Sequence, residues 1–258
     1  MQFLAAKPLW LCGLVLVALT ALTMCGPYLI RRRVALERLR TNNEVAGFKF
    51  ATVGVLYAVL LAFAVVVVWQ KFDDAQNTVA QEAGAAANVY RLSYGIGAPV
   101  GATLRQRMSD YLEVVIDDDW PAMARGGESN AGTEALNRIY NALLADRSGD
   151  RAGAVVLSQI LTTLDQVTTA RRQRLVMAAG IVPNILWLVL AVGAALTIGF
   201  TFFFGTENLR AQSLMTGTLS LLVLGGLLII IVIDHPFTGT VRVAPAPLVQ
   251  VLRDFGGR

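Results

Sequence analysis

The sequence holds one histidine and two cysteines, so no zinc site of the usual four nitrogen and sulfur ligands can be assembled from it. Cys12 and Cys25 both fall in the first apolar run, and thirteen residues of helix hold them roughly 20 Å apart, too far to bridge. They say nothing about redox compartment. Phosphate loops of the G-x-x-x-x-G-K-S/T type and G-x-S-x-G elbows are missing, and His235 has no nucleophile to pair with in the sequence. Nothing therefore points to an enzyme or to a cofactor. Alternating strand patterns are missing too, which excludes a β domain and leaves an all-α reading.

Charge is also scarce, at 16% of residues, while 55% are hydrophobic and the mean hydropathy is +0.56. That is the balance of a membrane protein crossing the bilayer several times and carrying a water-exposed part. Residues 9–30, 48–69, 181–204 and 213–233 each come close to the ~20 apolar residues that span a ~30 Å hydrocarbon core. A net charge of +4 could suggest nucleic acid, but the bases crowd the flanks of these runs. Arg31, Arg32, Arg33, Arg38 and Arg40 follow the first run, and Arg171, Arg172 and Arg174 precede the third. Positive flanks of membrane helices account for them, so the expected partner is the lipid bilayer, with no nucleic acid. The arginine loop is expected in the cytoplasm, which puts the N-terminus and the middle region outside. Lys7 before the first run imitates a signal peptide, and Leu22-Thr23-Met24-Cys25 faintly imitates a lipoprotein site, yet no A-x-A follows and the run reads as a membrane helix.

The second run is the organising stretch. Thr41-Asn42-Asn43-Glu44 fits a capping box, and no proline follows until Pro99, so one helix of roughly 50 residues and ~75 Å begins ahead of the membrane and continues into water. At ~100° per residue Gly47, Ala51, Gly54, Ala58 and Ala62 share a stripe that continues through Trp69, Phe72, Ala83, Ala87 and Tyr90. In lipid, small residues at this spacing let backbones approach, so this stripe is the expected helix-packing seam. Opposite it lie Lys49, Leu56, Leu60, Phe63 and Val67, readable either as a lipid face with Lys49 snorkelling or as the wall and gate of a pore.

The Gly95-Ile96-Gly97-Ala98-Pro99-Val100-Gly101 segment ends the long helix. Apolar stripes then mark three further helices: Leu104, Met108, Tyr111, Leu112 and Val115; Leu136, Ile139, Leu143 and Leu144; Leu157, Ile160, Leu161, Leu164 and Val167. Asp117, Asp118 and Asp119, with Trp120-Pro121, should close the first of these, and three acids at a helix end are weak candidates for a cation site. Pro183 suits the first turn of the third span, the short GTENLRAQ link makes the last two spans antiparallel neighbours, and Asp234-His235-Pro236 stops the fourth. His235 reads as a polar residue at headgroup level or as a pH switch.

The division expected is residues 1–70 with the first helix pair, 71–180 as a helical extramembrane domain, 181–234 with the second pair, and 235–258 as a tail. The fold class is an all-α membrane protein with four transmembrane helices, two before and two after the middle domain, and a very long second helix.

Particular stretches also resemble a known family. Asn43-Glu44-Val45-Ala46-Gly47-Phe48, the run GVLYAVLLAFAVVVVW, Trp120-Pro121-Ala122-Met123, the run LWLVLAVGAALTIGFTFFFG and Asp234-His235-Pro236-Phe237-Thr238-Gly239 together resemble the bestrophin-like domain family of bacterial and plant membrane proteins, itself distantly similar to the bestrophin anion channels. The resemblance implies the same order of two spans, helical middle and two spans, and a homo-oligomer whose second helix approaches the axis. It also implies a cytoplasmic middle region, opposite to what the arginine loop indicates. No neck signature of true bestrophins is found here, and their acidic calcium clasp follows the fourth span whereas Asp117 to Asp119 precede the third, so neither pore residues nor a calcium site carry over. The expected function is an oligomeric channel or pore in the cell (inner) membrane, passing inorganic ions, with anions as the candidate ions. The alternative is a membrane-anchored scaffold or sensor whose helical middle binds a partner.

Overall fold

The computed structural model describes residues 8–41, 43–145, 151–180 and 182–256, leaving out the side chains at positions 151 and 152. Asn42 of the expected capping box and Ile181 at the expected start of the third span lie outside the described residues. Every regular element among the described residues is helical, and four segments are long and apolar enough to cross a membrane: Leu9–Arg33, Asn43–Gly95, Asn184–Thr201 and Leu209–Ile233. The protein is therefore an all-α membrane protein of the expected 2 + 2 order. It forms two compact units, Met1–Gln70 with Ile181–Asp234 and Lys71–Gly180 with His235–Arg258.

In the first unit, α1 (Leu9–Met24) gives way at Cys25 to α2 (Gly26–Arg33), because Pro27 in the first turn of α2 has no N–H to continue the ladder. The first span, Leu9–Arg33, thus has a local interruption at Cys25. After α3 (Leu36–Arg40), the Thr41 hydroxyl donates to the Glu37 carbonyl at 2.7 Å and closes the short helix, so it is turned away from a box with Glu44. The long helix α4 (Asn43–Leu92) then runs for 50 residues without interruption, about 75 Å at 1.5 Å per residue.

After the intervening helices, which belong to the second unit, α9 (Asn184–Thr201) and α10 (Leu209–Ile233) complete the first. Pro183 stands just before α9 and Asn208 caps α10 by accepting from the Ala211 N–H at 3.1 Å. That cap starts the fourth span four residues earlier than hydropathy places it. Tyr57, Ala194, Ile198 and Val223 form the buried cluster joining α4, α9 and α10.

In the second unit a 3₁₀ turn at Ser93–Gly95 ends the long helix, and α5 (Ala98–Val114) carries Leu104, Met108, Tyr111 and Leu112 fully buried. The acids do not end it. One π turn at Val115–Asp119 leads straight into α6 (Trp120–Ala124). α7 (Ala131–Leu144) buries Leu136, Ile139 and Leu143 but leaves Leu144 exposed, and α8 (Arg151–Ala178) buries Ile160, Leu164 and Val167. The segment read as a plain tail contains an amphipathic helix, α11 (Ala246–Gly256), whose Phe255 ring stacks on Tyr90 at 3.7 Å between centroids.

Candidate functional site

The membrane half of α4 presents three faces. The face packed within its own unit carries Tyr57, Ala64 and Val68, with Leu60 and Leu61 beside them. At 100° per residue this face lies between the two stripes singled out in the sequence, roughly a quarter turn from each. The small stripe therefore does not make the intrachain seam: Ala51, Ala58 and Ala62 are exposed, and a Cβ added at Gly47 or Gly54 would meet no atom within 4 Å. Close approach is achieved the other way round, with large side chains of α4 entering glycine notches of the later spans. A Cβ at Gly193 would lie 2.6 Å from the Tyr57 ring and one at Gly226 would lie 2.7 Å from Leu61 Cδ2, while the Tyr57 hydroxyl donates to the Leu190 carbonyl at 3.1 Å.

Of the large stripe, Leu60 is turned into the intramolecular core, whereas Leu56 and Phe63 are 67% and 68% exposed and Lys49 is exposed. The entry to α4 is fixed by Asn43, whose side-chain amide donates to the Gly205 carbonyl at 2.7 Å and accepts from the Gly205 N–H at 2.9 Å. Only glycine fits at position 205, since a Cβ there would lie 2.7 Å from the Arg40 backbone nitrogen. Phe50 packs between Phe200 and Phe204 at 5.7 and 5.6 Å. The two sequence stretches NEVAGF and FTFFFG thus meet at one end of the unit.

The water-exposed half of α4 is held by a buried cluster of charges. Glu82 lies fully buried in the series Ala75, Val79, Glu82, Ala86, Val89, and Arg171 and Arg174 lie buried in the series Leu164, Val167, Arg171, Arg174, Ala178 of α8. Arg174 grips Glu82 with two bonds of 2.7 and 3.0 Å and reaches Asp119 at 3.3 Å. Arg171 binds Asp119 at 3.0 Å, the Thr133 hydroxyl at 3.0 Å and the Ser129 carbonyl at 3.3 Å. The Tyr111 hydroxyl donates to Glu82 at 2.6 Å, and the Arg174 guanidinium sits 4.7 Å over the Trp120 ring. Two carboxylates face two guanidinium groups, so the cluster is neutral and every guanidinium nitrogen has a partner, the condition under which buried ions are tolerated.

Burial alone would lower the pKa of Arg174, but the charge of Glu82, its hydrogen bonds and the neighbouring Tyr111 and Asp119 reverse this and raise it above its ordinary value. Burial, and then the charge of Glu82, push the Tyr111 hydroxyl well above 10.

The cluster changes the reading of several residues. Asp119 is turned inward by the π turn and committed to two arginines, while Asp117 and Asp118 stay exposed, so the three acids do not converge, and no group of metal-ligating side chains forms among the described residues. Arg171 and Arg174 are core residues of the second unit; of the three expected flank charges only Arg172 is exposed. His235 is 7% exposed and packs inside the second unit, beside Gly180. The Trp120-Pro121 and Asp234-His235-Pro236-Phe237 stretches also meet, Trp120 standing edge-on to Phe237 at 5.7 Å and donating to the Val243 carbonyl at 3.3 Å.

A family model described as a Bestrophin-like domain matches residues 17–248. Among solved structures the chain is similar to mutated forms of a bacterial bestrophin homologue from Klebsiella pneumoniae. One is 14% identical over 95% of this chain and 99% of that chain, with a TM-score of 0.71. A second is 14% identical over 94% and 98%, with a TM-score of 0.73, and a third is 14% identical over 95% and 97%, with a TM-score of 0.72. At this identity the likeness is one of fold. No curated protein matches the chain.

Proposed function

The chain belongs to the Bestrophin-like domain family, and on that premise we propose that it is a homo-oligomeric ion channel of the inner membrane in which α4 approaches the symmetry axis. The observation that carries this reading is the bare circumference of α4 in the membrane. Its own unit covers only the Tyr57, Ala64 and Val68 face, while Gly47, Ala51, Gly54, Ala58 and Ala62 on one side and Leu56 and Phe63 on the other are left to lipid or to other copies.

Two copies can close on the small stripe, where backbones come near and collect van der Waals contacts. The large stripe then turns to the axis, and Leu56 and Phe63 from several copies form an apolar constriction that gates by dewetting. Lys49 near one mouth raises the local anion concentration, which favours anions over cations. Leu60, packed against its own unit, braces the ring from behind. The part of α4 that belongs to the second unit is clamped there through Glu82 and Arg174.

Native mass spectrometry of the detergent-purified chain tests the assembly. A single closed oligomer supports the reading, and a monomer at all lipid and protein concentrations removes it.

A further inference from the structure

The interior of the first unit contains a row of buried polar side chains that conduction through a central axis does not use. On α10 they stand one turn apart at Gln212, Thr216 and Ser220, all nearly inaccessible, and on α9 at Thr197 and Thr201. The loop end of this row is fully bonded. Gln212 donates to the Phe204 carbonyl at 2.6 Å and accepts from the Thr206 hydroxyl at 3.1 Å, and the Thr216 and Thr201 hydroxyls meet at 3.2 Å.

One turn deeper the pattern stops. In the antiparallel register set by Thr201 and Thr216, Thr197 stands across from Ser220, and both hydroxyls are buried without a hydrogen-bond partner among the described residues. A third hydroxyl joins them from α1. Ser213 donates to the Met24 carbonyl at 2.7 Å, and a Cβ at Gly217 would lie 2.8 Å from Met24 Cγ, so Met24 is level with residues 213 and 217. A turn earlier on α1, in the opposite direction, Thr20 comes level with Ser220, and its hydroxyl is likewise buried and without a partner among the described residues.

Threonine and serine in helices ordinarily satisfy themselves on the carbonyl four residues back, as Thr218 does here at 3.0 Å. Three that do not, on three helices, are brought to one level by the register of those helices. A buried hydroxyl left unpaired is costly, and a water bonded to about three such groups is the common remedy in protein interiors.

We infer that the first unit binds an ordered water molecule between Thr197, Ser220 and Thr20, one turn deeper than the bonded Gln212, Thr216 and Thr201 groups. A neutral set of hydroxyls, each able to donate and accept, suits water and offers no charge for an ion. The next layer, with Ala194 and Val223, is apolar and ends the row. The site lies apart from the α4 surface proposed to face the axis and stands whether or not that surface conducts.

The test is electron cryomicroscopy of the full chain in lipid nanodiscs at a resolution that shows ordered water. A density peak within hydrogen-bonding distance of Thr197 Oγ1 and Ser220 Oγ, with Thr20 Oγ1 as third neighbour, is expected. Hydroxyls rotated onto carbonyls of their own helices with no peak between them would overturn the site. Thr197→Val combined with Ser220→Ala keeps the side-chain shapes nearly unchanged and should abolish the peak while the four spans superpose on the parent; a peak that survives both substitutions would also count against it. If the double variant fails to fold, the parent map alone decides.

Discussion

Removing the Glu82 carboxylate would leave Arg174 charged, buried and bonded only to Asp119 and the Met123 sulfur. Breaking one partner of a buried pair typically costs ~3–5 kcal/mol, far more than the net worth of the intact pair. Glu82→Ala should therefore lower the melting temperature of the purified protein sharply, whereas Asp118→Ala, at an exposed position, should stay within about 0.5 kcal/mol of the parent. Equal melting of the two variants would show that the cluster contributes nothing. Tyr111 makes a pH forecast with a definite sign. Below pH ~10 the phenol is neutral in folded and unfolded chains alike and its contribution is intact; above that the unfolded chain ionises first and stability falls as pH rises. In Tyr111→Phe that alkaline loss should be shallower when melting is followed from neutral pH into the alkaline range. These residues were partly legible in the sequence. Glu82 interrupts an alanine and valine series at heptad spacing, and Arg171 and Arg174 interrupt a leucine and valine series, a complementarity hidden because basic residues ahead of an apolar run first suggest a membrane flank.

At the scale of the element, α4 shows what periodicity reveals and what it conceals. Its length and its uninterrupted passage from an apolar to an amphipathic pattern could be read from residues 41–94, although Thr41 closes the preceding helix rather than capping this one. The packed face could not, because the glycines that admit Tyr57 and Leu61 belong to α9 and α10, and no stripe on one helix announces notches in another. The π turn was equally hidden: Asp-Asp-Asp-Trp-Pro has the composition of a helix end, yet Pro121 fits the first turn of α6 and the inward Asp119 finds two arginines. Gly54 separates the two kinds of packing. Gly54→Leu meets open space within the subunit, so the monomer fold should survive, but a side chain forced between neighbouring copies costs ~1–3 kcal/mol by overpacking. Native mass spectrometry should show a shift toward smaller species. An unchanged oligomer would place the seam on another face.

For the whole molecule, two rules give opposite orientations. The arginines of residues 31–40 imply a middle region outside, while the resemblance to bestrophins implies one in the cytoplasm. Arg31 donates to the Thr206 carbonyl at 3.3 Å and Arg40 pairs with Glu207 at 2.7 Å, so part of the loop charge is engaged, and Lys71, Arg172 and Arg242, which flank the other span ends in sequence, are exposed. We expect the family arrangement: Asn130→Cys, at an exposed position, should react with an impermeant maleimide only after lysis, and labelling of intact cells would restore the arginine rule. The order of two spans, helical middle and two spans was legible from hydropathy alone, but symmetry leaves no mark on one chain, which is why conduction rests on the exposed faces of α4. Planar-bilayer recording of the reconstituted protein under a salt gradient tests that claim most directly. The parent should pass anions, Phe63→Ala should carry more current through a wider ring, and Lys49→Glu should move the reversal potential toward cation preference. Silence in both parent and Phe63→Ala, in preparations shown to be oligomeric, would contradict the channel and leave a membrane-anchored scaffold or sensor in its place.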